Sequence, residues 1–310
     1  MIPAGFDYLR PATIVEALEM ATRHEDATFL AGGHALLPEW KLSRMGPATL
    51  IDLGRIAELR GIEVFGDGSA PEAGDSGHPG GVVRIGAMTT SAEIEYSADI
   101  ARAAPLLPRA AAMISDPLIR NRATLGGSLA EASPSGDWPA VVLAADATIQ
   151  LRDRDGERAV PARDFFTTDE TGFSEKATTL RRGELLTAVT VPATGPMARS
   201  TYLKRMHPAS GHAMIGVAAA ATFDTTETCT QCRIAITGVS TIATRAVRTE
   251  EHLLGSRLTA DVIEDAANMA TDGIAVTGDA FGSAAYLAEL IPIYVSRALA
   301  QIAAPDPRGR

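Results

Sequence analysis

Residues Thr124–Ala140 read TLGGSLAEASPSGDWPA. A Gly-Gly pair lies among small residues, a Ser-Pro turn follows, and then an acid precedes an apolar run. Phe29–Pro38, FLAGGHALLP, places a second Gly-Gly after an apolar segment. Both pairs fall where a strand or extended segment should end. Two adjacent glycines let the backbone adopt positive φ and turn successive N–H groups to one side. Such a nest binds an anion without a cationic side chain. Two nests meeting in space suit a pyrophosphate, and a plain tight turn is the alternative for either alone. A Rossmann reading fails on spacing. Neither stretch has G-x-G-x-x-G, and neither is followed by a clear helix with an acid about 20 residues on.

The 310 residues suggest two domains. Apolar residues make up 46% and charged residues 21%, an ordinary globular balance. A net charge of −10 disfavours nucleic acid and anionic membranes as partners. The cysteines, Cys229 and Cys232, are too few for a disulfide framework or a self-contained iron–sulfur cluster. The opening MIPAGFDYLRP lacks a basic-then-apolar signal pattern, so the expected location is the cytoplasm. Ala284–Ala304 carries Glu289, Pro292 and Arg297 and reads as a buried helix, with no membrane span expected.

Outward from the glycine turns, periodicity divides the chain. Thr13 with Glu16 and Thr90 with Glu93 have capping-box spacing, and the first predicts a helix over Ile14–His24. ATFLAGG, Ala48–Gly54, Val82–Met88 and Glu184–Pro192 read as strands. Ala101–Ile114 reads as one helix despite Pro105 and Pro108, and Trp138–Asp146 as another. Gly66–Gly81 is a loop by composition, and TIQLRDRDGERAVP a hairpin turning at Asp155-Gly156. The composition shift at Ala193–Ser200 marks a candidate boundary. Beyond it STYLKRM, IGVAAAATF and CRIAITGV predict an antiparallel sheet, with helices at Glu250–Leu254, Ala260–Ala270 and Ser283–Ile302. Strands grouped before helices indicate an α+β layer.

Other motifs are weaker. Cys229-Thr-Gln-Cys232 lacks a second ligand pair for zinc and a thioredoxin-like setting, and reads as two incidental cysteines at the start of a strand. The histidines, at 24, 34, 78, 207, 212 and 252, form no close zinc pattern. Glu93, Glu95 and Asp99 read as a solvated helix face, and Asp116 as the cap of a turn before Pro117.

With their flanks the glycine turns become specific. AGGHALLPEWKL, beginning at Ala31, resembles the first flavin-binding loop of the medium, FAD-carrying subunit of molybdenum hydroxylases. DPLIRNRATLGGSLAEASPSGDWPAVVLAADA, beginning at Asp116, resembles the second loop. The carbon monoxide dehydrogenase and xanthine dehydrogenase families share this pattern. MIPAGFDYLRP, LIDLGRIAELRGI, YLKRMHPASGHAMIGVAAA and the late Arg297–Leu299 extend the likeness along the chain. The resemblance implies an α+β fold: a two-lobed FAD-binding domain of the vanillyl-alcohol-oxidase (PCMH) type, then a C-terminal domain of antiparallel sheet with helices. The implied bounds are 1–195, with lobes of about 1–55 and 56–195, then 196–305 and a tail at 306–310.

The resemblance also implies site residues. Ala31, Gly32, Gly33, His34, Ala35 and Leu36 match the first loop; Thr124, Gly126, Gly127, Ser128, Ser133 and Asp137 match the second. Leu186 matches a residue beside the isoalloxazine. Lys204 matches a lysine near the pyrimidine end of the ring, and Asp137 an acid accepting hydrogen bonds from FAD. Glu131, where relatives often carry His or Thr, and His212, where many carry Tyr, depart from the pattern. The implied cofactor is non-covalent FAD, although His34 offers a possible covalent attachment point. Molybdopterin would sit on a large partner subunit and [2Fe–2S] clusters on a small one, in a dimer of heterotrimers that passes electrons to an external acceptor. The implied activity is that of the flavoprotein subunit of a molybdenum-containing dehydrogenase, with no catalytic side chain of its own. The alternatives are a stand-alone PCMH-type flavin oxidase acting on a small alcohol or amine, and a scaffold that has lost its flavin.

Overall fold

A computed structural model describes residues 5–43, 47–66, 81–168, 177–279 and 281–304. Residues 67–80 of the expected loop, His78 among them, and the expected tail at 306–310 lie outside the described residues.

The N-terminal unit is built from β1 (Asp7–Leu9), α1 (Ile14–Arg23), β2 (Ala27–Leu30), α2 (Leu36–Ser43) and β3 (Thr49–Asp52). Its strands form a parallel sheet in the order β1-β3-β2. Thr13 caps α1 by accepting the Glu16 N–H, while the Glu16 carboxylate takes the N–H of Ala12 rather than that of Thr13. Ile14, Ala17 and Leu18 bury one face of α1 against Ile51, Leu53, Ile56 and Leu59. The α2 helix, not expected from the sequence, contains Pro38. A proline is tolerated there because the first turn has no intrahelical use for its missing N–H.

A middle unit follows: β4 (Ile62–Phe65), β5 (Val82–Gly86), α3 (Ser91–Tyr96), α4 (Ala98–Ala103), α5 (Leu106–Ala112), α6 (Pro117–Arg120), α7 (Leu125–Glu131), α8 (Asp137–Ala144), β6 (Thr148–Arg152), β7 (Glu157–Pro161), α9 (Ala162–Phe165) and β8 (Leu185–Pro192). Its antiparallel sheet runs β4-β5-β8-β6-β7. The Asp155-Gly156 hairpin joins β6 to β7, and Thr90–Glu93 forms a complete capping box on α3.

Three expectations are corrected here. Ala101–Ile114 is not one helix: Pro105 forces Ala104 out of the helical region (φ −146°, ψ 68°), ending α4 and letting α5 begin anew. Gly126-Gly127 does not close an extended segment but lies in the first turn of α7, capped by Thr124. Glu95 is not on a solvated face; it pairs with Arg120 at 2.7 Å with both side chains largely covered. Asp116 does cap the turn at Pro117, its carboxylate accepting the N–H groups of Leu118 and Ile119.

The C-terminal unit comprises β9 (Ala198–Met206), β10 (Ala213–Phe223), β11 (Cys229–Thr237), β12 (Thr244–Arg245), α10 (Val247–Leu253), α11 (Ala260–Asn268) and α12 (Ala284–Ala303). Its sheet is antiparallel throughout, in the order β12-β11-β10-β9. One face carries Val217, Ala219, Ile234 and Ile236 against Leu287, Ile291, Val295 and Leu299 of α12. The other carries Tyr202, Ala218 and Ala235 into the core of the middle unit. Every residue of α8 is buried. A helix buried all round belongs between layers, and α8 packs on β10 and β11 of the C-terminal sheet and on α5 and α7 of the middle unit. Among the described residues no helix is long and apolar enough to cross a membrane.

An ion pair stiffens the middle sheet. Arg158 on β7 reaches Glu184 with two bonds of 2.6 and 2.7 Å, and the Arg181 N–H adds a third at 2.9 Å. Burial alone would raise the Glu184 carboxyl, but the bonds from Arg158 and Arg181 outweigh it and hold it below the usual range. A folded-state pKa below the unfolded one gives stability that is present above the carboxylate range and lost as pH falls through it. Arg158→Met should therefore cost about 3 kcal/mol at pH 7 by stranding a buried carboxylate. Thermal melts of both proteins from pH 7 to pH 4 should show that deficit shrinking with acidity; a deficit constant with pH would show that the loss is packing and not charge.

Candidate functional site

The first glycine loop leaves β2 at Leu30 and enters α2 at Leu36. Gly33 has φ +79°, a conformation that an L side chain resists. It is the only one of the four paired glycines with positive φ; the other three serve close approach. A Cβ on Gly32 would lie 2.2 Å from the carbonyl oxygen of Arg122 and 2.9 Å from its carbon. The loop thus presses directly on the backbone that leads into α7. A Cβ on Gly127 would lie 2.8 Å from Thr124 Oγ1 and 3.3 Å from the Cβ of Ala31, and one on Gly126 would strike the backbone of Ala87. The two glycine segments, more than 90 residues apart in sequence, meet in space as a pyrophosphate site requires.

Their hydrogen bonds differ. The N–H groups of Gly32, Gly33, His34, Ala35 and Leu36 donate to no acceptor among the described residues. Five consecutive free donors where the chain turns into a helix form a ready anion site. In the second segment the donors are consumed. Leu125 N–H goes to Thr89 O, Gly126 N–H to Ala87 O, Gly127 N–H to Thr124 Oγ1 and Ser128 N–H to Thr124 O. The expectation of two equivalent nests is therefore corrected: the first loop offers main-chain donors, and the second braces it. The second segment adds side-chain hydroxyls, with the Ser128 hydroxyl making no hydrogen bond among the described residues and Ser133 Oγ lying 3.4 Å from Ser135 Oγ.

Asp137 and Lys204 come together, although 67 residues separate them. Asp137 opens α8, where an acid suits the positive helix end. Tyr202 and Lys204, two apart on β9, point to the same face. The Tyr202 hydroxyl donates to Asp137 Oδ1 at 2.5 Å; Lys204 Nζ donates to Oδ2 at 2.9 Å and to the Met113 carbonyl at 3.2 Å. The Lys204 side chain is 0% exposed and that of Asp137 7%. Burial pushes the Asp137 carboxyl up against the opposing pull of Lys204, Tyr202 and His212. Burial and the Asp137 charge hold the Tyr202 phenol protonated well above its ordinary range. Lys204 is thus a neutralised cation that fixes the start of α8, and any charge it lends a ligand is shared with Asp137.

The remaining candidates surround these two centres. Leu186 is buried on β8, which packs against α7; its neighbour Thr187 accepts the N–H of Ala87, whose carbonyl in turn holds Gly126. His34 and Ala35 are exposed on the first loop. Glu131 ends α7, and partial burial with the nearby Glu39 of α2 pushes its carboxyl up. His212 is exposed, with Nδ1 3.4 Å from Ser135 Oγ. The C-terminal sheet pins the intervening loop: Gly238 N–H bonds to Pro134 O, and Thr237 Oγ1 to Pro134 O and Gly136 O. Sequence reading missed Tyr202, Met113 and Thr237. The two-residue spacing of Tyr202 and Lys204 was the only available signal. Among the described residues no three His, Cys, Asp or Glu side chains gather to hold a metal ion.

These residues fit a dinucleotide. Five donors without a protein acceptor among the described residues can take an anionic partner, and a loop built from glycines whose Cβ positions are blocked admits close backbone approach. Gly127→Val would drive its side chain into Thr124 and Ala31. It should lower FAD retention about tenfold or more, since displaced binding groups lose affinity steeply, while far-UV circular dichroism stays close to that of the parent. Unchanged flavin content after gel filtration would contradict this bracing role.

Comparison with known proteins agrees. Residues 4–194 match the family of the FAD binding domain in molybdopterin dehydrogenase. Residues 200–302 match the CO dehydrogenase flavoprotein C-terminal domain. The chain is 34% identical to the carbon monoxide dehydrogenase medium chain of Hydrogenophaga pseudoflava over 300 residues, covering 96% of this chain and 97% of that one. It is 32% identical to the 6-hydroxypseudooxynicotine dehydrogenase complex subunit alpha of Paenarthrobacter nicotinovorans, covering 97% and 95%. A solved carbon monoxide dehydrogenase from H. pseudoflava, lacking the Mo-pyranopterin moiety of its molybdenum cofactor, matches the fold with a TM-score of 0.86 at 34% identity, covering 97% of this chain and 98% of that one. Two family models that between them span nearly the whole chain, with the converging glycine segments inside the first, lead to one conclusion: this chain belongs to the FAD-binding, medium-subunit family of the molybdenum hydroxylases.

Proposed function

We propose that this chain is the FAD-carrying subunit of a heteromeric molybdenum hydroxylase, taking electrons from iron–sulfur clusters on a small partner and passing them to an external acceptor. The five N–H groups of Gly32–Leu36 that meet no acceptor among the described residues, braced by the second glycine segment, carry this reading. In it the FAD-binding part spans 1–195, as lobes of about 1–55 and 56–195, and the C-terminal part spans 196–305. A bound flavin would supply redox chemistry that exchanges electrons singly or in pairs. The chain's own residues bind, orient and exclude water. Gly32–Leu36 would hold the diphosphate by main-chain donors. Thr124, Ser128 and Ser133 would line its far side, and Gly126 and Gly127 keep the two segments close. Asp137 and Lys204 would face the flavin end as one neutral unit that fixes α8, and Leu186 gives apolar cover. His34 then sits beside the diphosphate rather than bonded to the ring.

Substrate oxidation belongs to a large molybdopterin subunit in this assembly, which forms a cytoplasmic dimer of heterotrimers. The two cysteines here are too few to hold a [2Fe–2S] cluster. Purified with FAD, the chain should show flavin absorption near ~450 nm and release all of it on acid precipitation. It should oxidise no small alcohol or amine alone, and it should co-purify with molybdenum- and iron-containing chains from its native host. Turnover by the isolated chain, or flavin left in the acid pellet, would point instead to a stand-alone oxidase.

A further inference from the structure

The cysteine pair has no part in the flavin site, yet its geometry is specific. In a regular strand, residues three apart face opposite sides. On β11 they do not. Cys229 lies opposite Phe223, Gln231 opposite Thr222 and Cys232 opposite Ala221, so Thr230 is an extra, bulged residue. Measured against β10, the cysteines stand two positions apart and share a face. Both are buried, while Thr230 and Gln231 between them are exposed. Two strand rises put their Cα atoms about 6.6 Å apart, just inside the range of about 4.4–6.8 Å that a disulfide spans.

Both thiols are free, and Cys229 Sγ donates to the Gln231 carbonyl at 3.3 Å. The adjacent Cys232 holds the Cys229 thiol below its ordinary range, while Cys229 and burial push Cys232 well up. Glu250 and Arg245 are the charged groups beside Cys232. Cys229 is fully buried in the C-terminal core, and one short segment pairs with its main chain: its N–H bonds to Ser256 O, and its carbonyl accepts the N–H of Gly255, which has φ +75°. Lifting that segment breaks these two bonds and those of Arg257 to Thr226 O, a local opening short of global unfolding.

We propose that Cys229 and Cys232 form a reversible dithiol–disulfide site, oxidised by exchange with a small-molecule disulfide of the glutathione class. The Cys229 thiolate attacks one sulfur of the small disulfide, breaking its S–S bond and releasing one thiol. The Cys232 thiolate then attacks the Cys229 sulfur, forming the intrachain bond and releasing the second thiol. Two electrons pass to the small disulfide, and the two S–H protons leave with its halves. Both cysteines are free in the structure, so the dithiol is the resting form, and the disulfide accumulates only when small disulfides rise.

The test is intact-mass analysis of the full native chain, reduced, desalted and incubated with glutathione disulfide. The expected result is a loss of about 2 Da without dimer or adduct, restored by dithiothreitol, with peptide mapping joining 229 to 232. Cys232→Ser should trap a glutathione adduct on Cys229. Two thiols surviving in the native protein while urea-unfolded protein oxidises, or stable adducts and dimers in place of the mass loss, would overturn the proposal. An unmodified Cys232→Ser would overturn the assignment of Cys229 as the attacking thiol.

Discussion

Gly32→Ala is expected to remove most of the bound FAD while leaving the fold in place. Gly32 does not occupy the left-handed region, so alanine is conformationally permitted and its only fault is the added carbon. That carbon would lie 2.2 Å from Arg122 O and 3.1 Å from the Cα of Ala123, both on main chain that cannot swing aside. The loops must separate by about 1 Å to restore normal contact. Misplacement of that size in a preorganised site costs on the order of 100-fold, about 2.7 kcal/mol. Since Gly32 opens the row of donors that have no acceptor among the described residues, the shift moves the proposed anion site itself. Flavin content measured after gel filtration should fall below roughly a tenth of the parent value. The apo variant should lose only about 1–3 kcal/mol of stability, the usual cost of overpacking. Parent-level flavin in the variant would show that the contact between the loops is irrelevant to binding.

The second large effect concerns Lys204. Lys204→Met strands Asp137, which keeps only the Tyr202 hydroxyl as donor. Removing one partner of a buried pair costs about 3–5 kcal/mol. The proton balance gives this loss a signature. Burial already raises the Asp137 carboxyl, and losing Lys204 raises it further. A carboxyl whose folded pKa exceeds its unfolded pKa binds protons more tightly when folded, so stability declines as pH rises through that window. The variant should therefore recover towards the parent on acidification from pH 7 to pH 5. A second substitution, Asp137→Asn, should restore most of the loss at pH 7 by removing the stranded charge. Thermal melts of the parent, single and double variants test this. A double variant no better than the single would show that Lys204 acts by packing alone.

Parts of this arrangement were legible in sequence because they are local. Thr90–Glu93, the Asp155-Gly156 hairpin and the three long C-terminal strands each declare themselves within a few residues. The resemblance carried by the two glycine segments pointed to the family and to the proposed cofactor site. What escaped was set by contacts distant in sequence. Two glycines are poor helix formers, yet Gly126 and Gly127 lie in the first turn of α7, capped by Thr124, where Ala87, Thr124 and Ala31 leave no room for a side chain. Lys204 reads as a free cation until β9 is seen to deliver it to Asp137. The different uses of the two glycine pairs could not be read from their shared composition; they depend on Thr89, Ala87 and Thr124 consuming the second set of N–H groups. The C-x-x-C spacing gave no hint of a shared face, because the bulge at Thr230 is defined only by the register with β10.

The most direct measurement of the central claim is a crystal structure of this chain with FAD bound. Diphosphate oxygens should lie within about 3.2 Å of several main-chain nitrogens of Gly32–Leu36, with no main-chain donor from Gly126 or Gly127. A diphosphate held away from Gly32–Leu36, or those five N–H groups still without an acceptor when the flavin is in place, would contradict it.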